Sequence, residues 1–88
     1  MEIQITVKDK SWNDERIVEV RRVSTLSLRR LNGHSATQLL RREFPEVSAI
    51  TFARKSSEMP GVFHAWHGID TFDKSPATRT YELTEICV

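Results

Sequence analysis

Apolar and polar residues alternate from the start of the chain, with Ile3, Ile5 and Val7 on one side of an extended backbone and Glu2, Gln4, Thr6 and Lys8 on the other. A period of two predicts a strand with one buried face and one wet face. The polar run from Lys8 to Glu15 reads as a connecting loop, and 17–23 as a second strand antiparallel to the first. Residues 24–32 match neither period, because Leu26, Leu28 and Leu31 are spaced for neither a strand nor a full helical turn. Two readings stand there. The segment either continues as a strand with Leu26 and Leu28 inward, or packs irregularly before Asn32-Gly33 turns the chain; the pattern favours an irregular or short extended segment.

In the stretch 35–53 the local signals agree with one another. Ser35 followed by Gln38 fits a capping box, which predicts a helix over about 36–44. Ala36, Leu39, Leu40 and Phe44 fall on its inner face, and Pro45 ends it. Val-Ser-Ala-Ile-Thr-Phe, from position 47, is β-branched and aromatic and predicts a strand over 47–53. Ser-Ser and Pro-Gly mark a turn over 54–61, residues 62–67 read as a strand, 68–77 as a surface loop, and 79–88 as a last strand. In that last strand Tyr81 and Leu83 share a face, while Ile86 and Val88 fall out of phase, as a bulge or an edge strand would produce. An edge there would leave the strand open to pairing with a second copy.

The predicted order is β-β-(segment)-α-β-β-β. It describes an α+β two-layer domain over 1–88: a mostly antiparallel sheet of four to five strands with one helix on one face. The 88 residues suit one domain with a thin core, and 39% hydrophobic with 28% charged residues is ordinary globular usage. The lone Cys87 excludes an internal disulfide and suits a reducing, cytoplasmic setting. No apolar run approaches the length of a membrane span, and the first residues lack the pattern of a signal peptide.

Charge changes the picture more than composition does. Residues 1–15 carry a net −2, residues 16–55 carry nine basic side chains against three acidic for +6, and residues 56–88 carry −3. A fold can turn that layout into a basic and an acidic face. The basic doublets Arg21-Arg22, Arg29-Arg30, Arg41-Arg42 and Arg54-Lys55 are suited to phosphate or carboxylate contacts if they converge, and are solubilising surface if they scatter. On strands the two members of a doublet point to opposite faces. No helix-turn-helix, zinc-finger or RNP-type signature accompanies them.

His64, His67 and Asp70 have ligand-like identities, but histidines three apart on a strand diverge, so no metal site and no cofactor is expected. Catalysis has little to work with. Cys87 is penultimate, no serine sits in a nucleophile elbow, Asp70 and Asp73 lie in a polar stretch, and the three glycines are isolated. Trp12, in a charged loop, is either a partner anchor or a cap on the core.

These features point to a non-catalytic binding module that meets a protein partner through charged and aromatic surface, with Arg41, Arg42, Arg29, Arg30, Arg54, Lys55 and Trp12 as contact residues. An inhibitor or accessory subunit fits, and by analogy such small domains are often inhibitors encoded by mobile elements. The alternative is a nucleic-acid-binding protein using the basic residues 16–55. Either way the protein is expected to be a monomer or homodimer.

Overall fold

The computed structural model describes residues 1–12, 14–72 and 75–86, with side chains described outside 70–76. Five strands and one helix follow the predicted order: β1 (Glu2–Ser11), β2 (Asp14–Ser24), α1 (Gly33–Glu43), β3 (Arg54–Lys55), β4 (Val62–Phe72) and β5 (Ser75–Ile86). Every pairing is antiparallel and the strand order is β2-β1-β5-β4-β3. The sheet has one helical layer, on one face.

Burial follows the period-two pattern. Ile3, Ile5 and Val7 of β1, Tyr81 and Leu83 of β5, and Phe63 and Ala65 of β4 all point toward α1. The helix answers with Ala36, Leu39, Leu40 and Phe44, and Leu31, Ile50 and Ala53 close the rim of the same core. Tyr81 lies under the helix end, its ring 5.1 Å from that of Phe44. Arg21 lies over the Phe44 ring, 4.4 Å from its centroid, and donates to the Glu43 carbonyl at 2.8 Å, placing a cation at the helix C-terminus where the exposed carbonyls favour one.

The helix begins earlier than its sequence predicts. Asn32, not Ser35, is the N-cap: its side chain accepts from the Ser35 amide at 2.9 Å, and Ser35 Oγ accepts from the Asn32 amide at 2.9 Å. The Asn-Gly pair that looks like a turn therefore opens the helix. Gly33 is needed there, since a Cβ would meet the Ala53 carbonyl oxygen at 2.8 Å and the Phe52 ring at 3.1 Å. Replacing Asn32 with Ala is expected to lower the unfolding free energy by about 1 kcal/mol, read as a shift in the urea midpoint at unchanged slope.

Four other expectations need correction. Residues 47–53 form no strand: the Ala53 amide donates to Thr37 Oγ1 at 2.9 Å, so the apolar residues of this segment pack as a connector rather than in a ladder. It hydrogen-bonds the sheet at Thr51, whose amide donates to the Trp66 carbonyl at 3.0 Å and whose Oγ1 accepts from the Trp66 amide at 3.0 Å. The loop predicted over 68–77 is instead the end of a long β4–β5 hairpin, with Ile69 paired to Ala77. The last strand is not an edge, because β5 lies between β1 and β4 and the edges are β2 and β3. It also pairs with β1 in unbroken register through Ile86 opposite Glu2, so Ile86 simply points to the open face. One register shift lies in β2, where Val18 is passed over between the pairs Val7–Glu19 and Lys8–Ile17, and another in β4 between Ile69 and Phe72.

Leu26 is 97% exposed, which removes the reading of 24–32 as a strand with that residue inward. Asp73, Cys87 and Val88, and the side chain of Asp70, lie outside what is described. Among the described residues no helix is long and apolar enough to cross a membrane.

Candidate functional site

Among the described residues the face of the sheet opposite α1 carries no second layer, and the register fixes what stands on it. One row across the strands reads Val20, Thr6, Glu82, His64 and Arg54, from β2 to β3. The next reads Ile17, Lys8, Thr80 and Trp66, and the one beyond it Glu15, Lys10, Thr78 and Gly68. Threonines and charged residues occupy the middle, as a pleated, wet surface favours. The apolar members stand toward the two sides.

Two projections turn the β4–β5 part of this face into a groove of about 610 Å³. At one end the β1–β2 turn holds Trp12, 90% exposed. At the other, the loop between β3 and β4 brings Ser56, Ser57, Glu58 and Met59 to the rim. That loop is tied down locally. Ser56 Oγ accepts from the amides of Glu58 and Met59 at 3.2 and 3.1 Å, the Ser56 amide donates to the Val62 carbonyl at 2.8 Å, and Gly61 supplies the positive φ of 79° that closes the turn. The floor is Lys10, Thr78, Thr80, Glu82, His64 and Trp66, with the His64 and Trp66 rings 5.3 Å apart. Hydrogen bonds to Thr51 hold the Trp66 backbone in place, so its ring is presented from a fixed base.

The charges on this face are tied to one another. Lys8 Nζ lies 3.4 Å from Glu15 and 3.3 Å from Glu82, and Lys10 Nζ 3.6 Å from Glu15. Burial alone would lower the Lys8 ammonium, but the Glu82 and Glu15 carboxylates together outweigh it and hold its pKa above the ordinary value. Glu58 and His64 remain at the groove without an ion pair among those described.

On the helix side of the same strands runs a polar row, Arg16, Asp9, Arg79 and His67. Asp9 is 1% exposed and receives both Nε and Nη2 of Arg79, at 2.7 and 3.0 Å. These hydrogen bonds hold the Asp9 carboxyl below its usual range against the opposing effect of burial, and the same bonds raise Arg79. His67 Nδ1 lies 3.0 Å from the Gly68 carbonyl, which can only accept, so in the neutral ring Nε2 accepts from the Tyr81 hydroxyl at 2.9 Å. Burial raises the pKa of that hydroxyl. His64 and His67 thus lie on opposite faces, as their spacing requires.

The contact residues expected from sequence are dispersed. Trp12 lines the groove. Arg54 and Lys55 are exposed on edge strand β3, with Arg54 on the open face opposite His64 and Lys55 opposite the inward Phe63. Arg41 and Arg42 are exposed in the last helical turn, on the far side of the sheet from the groove, and Arg29 and Arg30 are exposed in the segment before the helix. Arg42 also borders a smaller cleft of about 310 Å³ with His34, Gln38 and Leu28. Trp66, His64, Met59 and Glu82 join Trp12 although sequence reasoning did not assign them to a partner surface. The visible signal was the alternation of Val62, His64 and Trp66, which marks one face of a strand. Comparison with protein-family models, with curated proteins and with solved structures finds no match to this chain.

Proposed function

We propose that the protein is a non-catalytic binding module that docks on a protein partner through the open face of its sheet. The observation that carries this reading is that both tryptophans of the chain, one from the β1–β2 turn and one from β4, border one groove on a face that carries no second layer among the described residues. Indole rings contribute large contact area at little conformational cost and dominate binding energies where they occur. Trp12, Met59 and Trp66 form the apolar contacts, and the Glu58 carboxylate, without an ion pair among those described, favours a partner segment whose apolar side chain is flanked by a positive charge. The perturbed acid and base at Asp9 and Arg79 saturate each other, an arrangement suited to holding the sheet rather than to moving a proton. A lone cysteine suits a cytoplasmic setting, and an inhibitor or accessory role is consistent with a module of this size.

The test is comparative. A partner recovered from the source cell by affinity capture is titrated with Trp12→Ala, Trp66→Ala and the double charge reversal Arg41→Glu/Arg42→Glu. Each tryptophan variant is expected to weaken binding roughly thirty-fold, about 2 kcal/mol, at unchanged thermal stability, while the helix variant binds normally. The reverse outcome would move the site to the basic helix surface. Capture of nucleic acid alone, with affinity falling steeply as salt rises, would replace this reading with the nucleic-acid one.

A further inference from the structure

We infer that β2 is the seam of a symmetric dimer, in which a second copy of this chain pairs with it antiparallel and joins two five-stranded sheets into one. β2 is an edge of the sheet and runs for 11 residues, whereas the opposite edge, β3, has only two. It presents Ile17 (62% exposed), Val18 and Val20 (53% exposed) side by side. Three exposed β-branched residues on an unpaired ladder form a surface that another strand would cover.

The charge order along β2 says which strand. Acids come first (Asp14, Glu15) and bases last (Arg21, Arg22), so an antiparallel copy of the same strand sets acid against base. The bulge at Val18 selects the register. Glu15, Ile17, Val20 and Arg22 pair on β1 with Lys10, Lys8, Thr6 and Gln4, all of one parity. The four therefore share one face and one hydrogen-bonding phase on both sides of the bulge. With the two-fold axis between Val18 and Glu19, Glu15 faces Arg22 of the second copy and Ile17 faces its Val20, each twice. The same register sets Arg16 against Arg21, but Arg21 already has Glu19 at 2.6 Å and Asp9 lies across from Arg16, so neither cation meets the other bare. The docking groove reaches β1 at Lys10 and the β1–β2 turn at Trp12, but none of its lining residues is on β2, so this inference is independent of the proposed function.

Sedimentation or light scattering across a concentration series tests it with the full chain. The mass is expected to rise from 10.2 kDa toward twice that value below roughly 0.5 mM. Arg22→Glu, at an exposed side chain, is expected to weaken the dimer roughly ten-fold by making two pairs repulsive, and Glu15→Arg/Arg22→Glu to restore it to within about three-fold. Far-UV circular dichroism checks the fold, because Glu15 also contacts Lys8 and Lys10. Should the double variant lose structure, Val20→Lys decides in its place, with dissociation expected. A monomer throughout the series would overturn the inference. So would a dimer indifferent to Arg22→Glu, a folded double variant no tighter than Arg22→Glu, or a dimer unmoved by Val20→Lys.

Discussion

Arg79→Leu is expected to cost about 3 kcal/mol of folding free energy at pH 7, a large share of what a domain of 88 residues has. The substitution strands the Asp9 carboxylate, which is 1% exposed and takes both of its charge-assisted hydrogen bonds from Arg79. Asp9→Asn should cost less. Its amide still fills the site, and the Arg79 side chain, one-third exposed, can turn to water. The pH dependence separates the two. In the wild type the Asp9 pKa is depressed, so its contribution is fully present above the ordinary carboxylate pKa of about 4 and is lost as pH falls through the folded value. In Arg79→Leu burial remains without the main partner, which raises the pKa, and the sign reverses: the variant recovers as its carboxyl takes up a proton. Urea unfolding at pH 7 and pH 4 should therefore show the gap between wild type and Arg79→Leu narrowing on acidification. A gap that stays constant would mean that the pair contributes nothing through charge.

The second large effect is expected at Leu40, whose side chain is fully buried between the helix and the sheet. Leu40→Ala should cost about 3–4 kcal/mol, from the lost transfer energy and the cavity left behind. At this size that corresponds to a fall of roughly 15–20 °C in Tm. Leu26→Ala, at a residue 97% exposed, should stay within about 0.5 kcal/mol. Calorimetry of the two side by side checks whether the core lies under the helix, since a similar loss for both would place Leu26 in it.

What could be read from the sequence was what each element decides by itself. The alternation of Ile3, Ile5 and Val7 and the helical spacing of Ala36, Leu39, Leu40 and Phe44 come from backbone geometry within one segment, and both faces are buried as expected. Residues 47–53 misled because β-branched composition reports burial, and here the burial comes from a connector bonded to Thr37. The position of β5 was not legible, since which strands become neighbours is decided by contacts far apart in the chain. The groove was hidden for the same reason. Strand spacing puts His64 and Trp66 on one face, but only the assembled sheet brings Trp12 and the loop at Met59 over that face. The charge asymmetry is real in the sequence, yet the doublets on Arg21-Arg22 and Arg54-Lys55 end at opposite edges of the sheet.

The pairing of β1 with β5 joins residues 2–10 to 78–86, so β1 finds its second neighbour only after about seventy further residues have been synthesised. Closing a loop that spans nearly the whole chain must precede the contacts that reward it, and such topologies fold slowly. During synthesis the β1–β2 hairpin waits with one edge of β1 unpaired until β5 emerges. Until then the nascent hairpin is the species a chaperone would meet.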